Sequence, residues 1–171
     1  MKIAIIGYSG AGKSTLAQKL AQHYQIPKLH LDTLQFLPGW QERPKELLCQ
    51  DLARFLEAND SWVIDGNYSF AHYERRMEEA DQIIFLNFNR FNALWRAFKR
   101  AIKHRNKTRD SMAAGCPEKF DWEFIRWILW DGRSKQAKTR YHKLSEKFSE
   151  KVIILRNQQE MNHFLKEIEM V

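Results

Sequence analysis

Apolar residues along this chain cluster in short runs separated by longer stretches with helical spacing. Five runs read as strands: Lys2 to Ile6, Pro27 to Leu31, Trp62 to Ile64, Gln82 to Leu86 and Lys151 to Leu155. Between them, apolar positions recur every three or four residues. Leu16, Ala17, Leu20 and Ala21 follow the first run; Leu47, Leu48, Leu52, Phe55 and Leu56 follow Pro44, a residue suited to a first helical turn. A helix poor in apolar residues is predicted around Ala71 to Ala80. Phe91, Leu94, Trp95, Phe98 and Ile102 mark one helical face, with Arg96, Lys99, Arg100 and Lys103 on the other. A long helix is predicted from the N-cap residue Asp121 into the 140s, with a break allowed at Gly132. Met161, Phe164, Leu165 and Ile168 mark a closing helix. Gln35 to Trp40 reads as a loop, punctuated by Pro38-Gly39. His104 to Lys119 reads as a second, longer one. Short apolar strands alternating with helices predict an α/β fold: a five-stranded parallel sheet with helices on both faces. The crossovers should be right-handed, and ligands should bind beyond the carboxyl ends of the strands.

The stretch after the first run adds chemistry. Gly7-Tyr8-Ser9-Gly10-Ala11-Gly12-Lys13-Ser14 matches G-x-x-x-x-G-K-[ST] at every fixed position, between a strand and a helix as the P-loop motif requires. Glycines let the backbone curl until its N–H groups point at phosphate oxygens, and the helix N-terminus adds the positive end of a dipole. The predicted nucleotide cradle is Gly7, Gly10, Ala11, Gly12, Lys13, Ser14 and Thr15. Lys13 can reach the β- and γ-phosphates, and the Ser14 hydroxyl can ligate Mg²⁺. ATP and Mg²⁺ are therefore the expected cofactors.

At 171 residues the chain has the size of one domain. No apolar run approaches the ~18 residues of a membrane span, and the first residues read as a strand rather than a signal peptide. Two cysteines, Cys49 and Cys116, have no metal-site spacing and suit a reducing cytoplasm. Charge changes the picture further. The net charge is +7, but residues 90–143 hold 15 Lys/Arg and 5 Asp/Glu, giving +10 there and −3 elsewhere. Such a concentration fits a site for several phosphates, a polyanion-binding face, or a solvated basic face.

Asp32 and Asp65 each follow an apolar run. A carboxylate there can hold Mg²⁺ or accept a proton from a substrate hydroxyl. Asp65 opens an Asp-Gly pair that also suits a plain turn. Asp32 is assigned to the acceptor and Asp65 to Mg²⁺. Arg105 and Arg109 lie in the irregular segment, where they can fold over phosphates. Arg126, Arg133 and Arg140 recur every seven residues, so on one helix they would share nearly one face. Their planar forks suit phosphate oxygens, and Arg133 joins Lys13, Asp32, Arg105 and Arg109 as a catalytic candidate. Trp122, Trp127 and Trp130 have the spacing of core residues, Trp40 sits where it can wall an acceptor pocket, and His30 reads as a core histidine.

With these motifs in hand, the chain resembles P-loop kinases of the adenylate and nucleoside-monophosphate kinase type. GYSGAGKS, HLDTLQFLPGWQERP, WVIDGNYS and RNKTRDSMAAGCPEKFDWEFIRWILWDGRSKQ most resemble the bacterial DNA topology modulation proteins, which are adenylate-kinase-related. The resemblance covers nearly the whole chain. It implies a single three-layer domain over residues 1–171, a strand order 2-3-1-4-5, an acceptor-binding segment about 33–59 and a mobile lid about 105–120. It also implies that Arg96 and Arg100 lie beside the nucleotide base and that Asp32 acts on the acceptor side, as in shikimate-kinase-like enzymes. Departures leave the acceptor open. Asp65-Gly66-Asn67-Tyr68-Ser69 lacks the arginine of adenylate kinases, and the shikimate-kinase glycine triplet is absent. The guanine motif is incomplete at Asn106-Lys107-Thr108-Arg109. The expected function is transfer of the γ-phosphate of Mg-ATP to a nucleotide or hydroxylated metabolite. The alternative is a nucleic-acid-associated ATPase or regulator acting through the basic face, although no nucleic-acid reader motif is present.

Overall fold

The computed structural model describes residues 1–104 and 108–170. In chain order the elements are β1 (Lys2–Gly7), α1 (Lys13–Tyr24), β2 (Lys28–His30), α2 (Leu31–Gln35), β3 (Phe36–Leu37), β4 (Gln41–Glu42), α3 (Lys45–Ala58), β5 (Trp62–Asp65), α4 (Tyr73–Glu79) and β6 (Gln82–Leu86). They continue with α5 (Arg90–Lys103), α6 (Trp122–Leu129), α7 (Lys135–Lys147), β7 (Val152–Leu155) and α8 (Gln158–Glu169). Five strands form one parallel sheet in the order β2-β5-β1-β6-β7, and β3 and β4 form a separate hairpin. The strand order differs in numbering from the expected 2-3-1-4-5 because, among the described residues, the hairpin inserts two strands between the second and third members of the main sheet.

Period-two alternation within each strand builds two cores. On one face Ala4, Ile6, Ile64, Ile83 and Phe85 pack against Leu48, Leu52 and Leu56 of α3, Met77 of α4 and Leu144 of α7. On the other, Ile3, Ile5, Val63, Ile84 and Leu86 meet Leu16, Ala17 and Leu20 of α1 and Met161, Phe164 and Leu165 of α8. Each such side chain, fully buried, contributes about 1.5–3 kcal/mol. The sheet therefore anchors every strand end around which the site is built.

Four local expectations are corrected. The second strand stops at His30, and Leu31–Gln35 is a helical turn, so Asp32 lies in the first turn of α2 rather than at a strand end. Gln35 to Trp40 is not a plain loop: β3, a 3-10 turn at Pro38–Trp40 and β4 make a short hairpin. α4 begins at Tyr73, two residues later than expected, after a left-handed His72 (φ 42°). The predicted long helix is two helices. Trp130 leaves helical geometry (φ −132°, ψ −65°), Asp131–Arg133 forms a 3-10 turn, and the Ser134 hydroxyl caps α7 by accepting from the Ala137 amide. Arg126, Arg133 and Arg140 thus sit on three different elements. Trp122, Trp127 and Trp130 are not core residues either, being 69%, 50% and 54% exposed. On so short a helix, Ile128 is buried against Ala93 and Ala97 of α5, with Phe124 partly buried beside it.

Candidate active site

The P-loop turns tightly between β1 and α1 because two glycines take backbone angles closed to other residues. Gly10 (φ 80°) lies under the Ala93 carbonyl and Gly12 (φ 98°) under the Arg96 guanidinium, so an added Cβ at either would come within 2.4 Å of an α5 atom. The loop is held from outside where the Gly7 amide donates to Asn67 Oδ1 at 3.0 Å, and from within where the Ala11 amide donates to the Tyr8 carbonyl at 3.2 Å. Ala11 is buried beneath it. Lys13 Nζ folds back onto the Gly7 and Tyr8 carbonyls at 3.0 and 3.3 Å. Burial pushes its pKa down, an effect partly offset by Asp32 and Asp65.

Asp65 ends β5 and is directly beside His30 in the sheet register. Parallel neighbours in register project to the same face, here toward α1. The result is a relay of three residues: Ser14 Oγ donates to Asp65 Oδ2 at 2.9 Å, and Asp65 Oδ1 pairs with His30 Nδ1. Both partners are almost fully buried, so the His30 bond fixes the carboxylate with its second oxygen toward Ser14. A hydroxyl and a carboxylate oxygen side by side suit a hard divalent cation. Among the described residues no cluster of three or more His, Cys, Asp or Glu side chains surrounds a metal point, so phosphate oxygens and water would complete its shell. The sequence reading missed His30 as a site residue. Its only signal was its position, opposite Asp65 on the next strand.

Asp32, which the sequence assigns to the acceptor, lines the same cavity as the P-loop. Tyr68 Oη donates to Asp32 Oδ1 at 2.7 Å. Burial pushes the Asp32 carboxyl above the usual carboxylate range, while the Tyr68 bond pulls the other way. Burial and the Asp32 charge together push the Tyr68 hydroxyl well above its ordinary value. Tyr68 is placed by Arg76, a fully buried arginine of α4. It donates to the carbonyls of Ala71 at 2.9 Å, Gly66 at 3.3 Å and Tyr68 at 3.0 Å, and so ties down the segment after β5.

A cavity of ≈ 1080 Å³ joins the two sides, lined by Gly10, Gly12 to Thr15, Asp32, Asp65 and Tyr68 as well as residues of α5, α6 and α7. The arginine candidates divide. Arg96 Nε donates to the Gly10 carbonyl at 3.3 Å and its guanidinium lies 5.2 Å above the Phe88 ring. Arg100 and Arg109 both grip Glu118, through its Oε1 at 2.6 Å and its Oε2 at 2.5 Å, and the Glu118 side chain is only 4% exposed. Burial lowers the pKa of Arg96 and Arg100. Arg133 donates to the carbonyls of Ile128 (3.0 Å) and Phe88 (2.8 Å), lies 3.9 Å above the Tyr8 ring and is not among the cavity-lining residues described. Arg105 lies outside the described residues. Trp127, expected in the core, donates to Ser9 Oγ at 3.1 Å and lines the cavity. The predicted lid touches the predicted acceptor segment at three points: Gly39 amide to Gly115 carbonyl (2.9 Å), Trp40 Nε1 to Pro117 carbonyl (3.2 Å) and Cys116 Sγ to Leu37 carbonyl (3.1 Å).

No family model and no curated protein sequence matches the chain. Solved structures do. An uncharacterized protein from Eubacterium ventriosum is 16% identical with a TM-score of 0.50, covering 100% of this chain and 99% of that one. The shikimate kinase from Bacteroides thetaiotaomicron is 17% identical with a TM-score of 0.53, covering 99% and 96%. The chain has a P-loop kinase-like fold.

Proposed function

We propose that this chain is an ATP-dependent kinase of the adenylate-kinase-related type, transferring the γ-phosphate of Mg-ATP to a hydroxyl of a small acceptor. The observation that carries the reading is that one cavity is lined by both the P-loop and the half-buried Asp32–Tyr68 pair. Among the described residues, the amides of Gly10, Gly12, Lys13 and Ser14 have no protein acceptor. They are the donors for the β- and γ-phosphates. Lys13 leaves the Gly7 and Tyr8 carbonyls for phosphate oxygens. Arg100 and Arg109 can reach the transferring group from the lid side. Ser14 and Asp65 hold Mg²⁺, which supplies neutralisation of phosphate charge when bound. Asp32 accepts the acceptor's hydroxyl proton, with Tyr68 holding its carboxylate in position. Arg133 acts by fixing Tyr8 and the P-loop. Both cysteines are free, which supports a reducing cytoplasm, and no described helix is long and apolar enough to cross a membrane.

The reading is tested by Lys13→Ala. Expected is a loss of about 10²–10³-fold or more in ATP-dependent transfer, the scale of removing one charge-stabilising donor, with an unchanged circular dichroism spectrum. Retained transfer in the folded variant would sink the assignment.

A second reading rests on an unexpected surface. Phe91, Trp95 and Ile102 of α5 and Trp122 of α6 are more than half exposed, and Lys99 lies 5.0 Å over the Trp95 ring. Exposed aromatics among cations suit single-stranded nucleic acid. This reading requires binding that weakens steeply with salt, and a flat salt response eliminates it.

A further inference from the structure

The acceptor half of the cavity names a substrate class. Its walls are aromatic. Phe36 and Trp40 meet edge to face with ring centroids 5.3 Å apart, and Tyr68 and Phe70 do so at 5.7 Å. All four rings line the cavity that contains Asp32. Their placement is built in. Trp40 sits in the left-handed region (φ 67°), where a bulky residue is strained, and its indole is anchored on the Pro117 carbonyl. Non-glycine residues held in that region cluster at ligand clamps.

Charge narrows the class. Among the described lining residues between positions 32 and 70 there is no lysine or arginine. Arg43, the basic residue nearest in sequence to this wall, is taken up by the Leu34 carbonyl at 3.1 Å and Asp51 at 2.8 Å. On the lid, Arg109 is paired with Glu118, and Lys119 lies 5.1 Å from the Trp40 ring. The carboxylate of Asp32 stands at the centre, its burial already unfavourable to charge. A phosphate monoester or a carboxylic acid there would face the Asp32 carboxylate, while the cations Lys45 and Lys119 lie over the Phe70 and Trp40 rings at 5.2 and 5.1 Å. A neutral planar ring would find four aromatic side chains, and a hydroxyl on it would find a proton acceptor.

Building on the kinase reading, we propose that the acceptor is an uncharged planar-ring compound bearing a hydroxyl, the class to which nucleosides belong. The hydroxyl oxygen bonds to the γ-phosphorus while its proton passes to Asp32. The bond from that phosphorus to the β–γ bridging oxygen breaks, and its electron pair leaves on ADP.

The test offers adenosine, guanosine, cytidine and thymidine, their 5′-monophosphates, and shikimate as acceptors with Mg-ATP. Each is also titrated calorimetrically in the presence of ADP. Expected is phosphorylation of at least one nucleoside with kcat/KM at least 100-fold above its own monophosphate and above shikimate. Trp40→Leu should lower that kcat/KM at least tenfold, mainly through KM, and Trp40→Phe should regain most of it. If a monophosphate or shikimate is the better substrate, the kinase reading stands and this proposal falls. If nothing is phosphorylated but a nucleoside binds in a Trp40-dependent way, the ligand class stands and the kinase reading falls. No saturable nucleoside binding, or binding indifferent to Trp40→Leu, overturns the proposal.

Discussion

On the proposed kinase reading, the two halves of the cavity would recognise their ligands by different means. The donor half uses main chain: a loop whose glycines carry positive φ, free amides, and one lysine folded back on two carbonyls. The acceptor half uses side chains from short, irregular pieces: one helical turn, a two-strand hairpin and the segment after β5. The main-chain site has one geometry and leaves a fixed pattern in sequence. The side-chain site is assembled by contacts distant along the chain, such as Trp40 on Pro117 and Tyr68 on Asp32. A family can keep the first and exchange the second, which is how one fold can serve many acceptors.

The sharpest way to break that division is at Asp32. Asp32→Asn should cost about 10²–10⁴ in kcat, the scale of a general base, while leaving ADP affinity unchanged by calorimetry. A loss of ADP binding would mean the halves are not separate. The pH profile sharpens the same point. Burial raises the Asp32 pKa, so its base form disappears as pH falls through that raised value, and kcat/KM should decline at a higher pH than an exposed carboxylate would give. The Tyr68 hydrogen bond favours the charged form, so Tyr68→Phe should move the acid limb to still higher pH. An unmoved limb would remove Asp32 from the proton path.

On the donor side, the test is His30. His30→Leu frees the Asp65 carboxylate to rotate away from Ser14, and loss of such an orienting partner is worth about 10–100-fold in metal affinity. Mn²⁺ titration by electron paramagnetic resonance in the presence of ADP would read it. Metal-free ADP binding should stay as it is, and His30→Gln, which keeps a donor, should recover part of the loss. Equal Mn²⁺ affinity in all three proteins would discard the relay.

Smaller effects test the scaffold. Arg76→Met removes the side-chain donor from the buried carbonyls of Ala71 and Gly66, and from the Tyr68 carbonyl, which still accepts from the Ala71 amide. Urea denaturation should show a loss of about 1–3 kcal/mol for each carbonyl that water cannot reach, together with weaker acceptor binding because Tyr68 loses its anchor. Trp122→Ser should change stability by no more than about 0.5 kcal/mol, as for other exposed sites. A larger loss would return Trp122 to a packing role.

The sequence was most informative where one residue's role is set by its neighbours in the chain. Lys13, Ser14 and the glycines were legible because motif and geometry coincide, and the main-sheet strands because their apolar runs are buried on both faces. Asp32 and Asp65 were found as carboxylates after apolar runs, although Asp32 proved to lie in a helical turn. His30 was invisible as a site residue because its partner is 35 positions away and on another strand. The arginine stripe misled for the opposite reason. A seven-residue spacing has meaning only on an unbroken helix, and Trp130, Asp131 and Ser134 break this one. The α6 tryptophans misled because apolar residues at helical spacing indicate a face without saying what covers it.

Glu118 gives the segment after α5 a property that neither half has alone. Its buried carboxylate holds Arg100 and Arg109 as a surrogate anion, so an incoming phosphate gains those arginines only by exchange. The useful quantity is then a contrast between two anions rather than the strength of either. On the kinase reading, a triphosphate, carrying more charge than one carboxylate, would compete for those arginines better than chloride or a lone carboxylic acid. Glu118→Gln would flatten that contrast, turning a discriminating receptor into one that takes any small anion the solution offers.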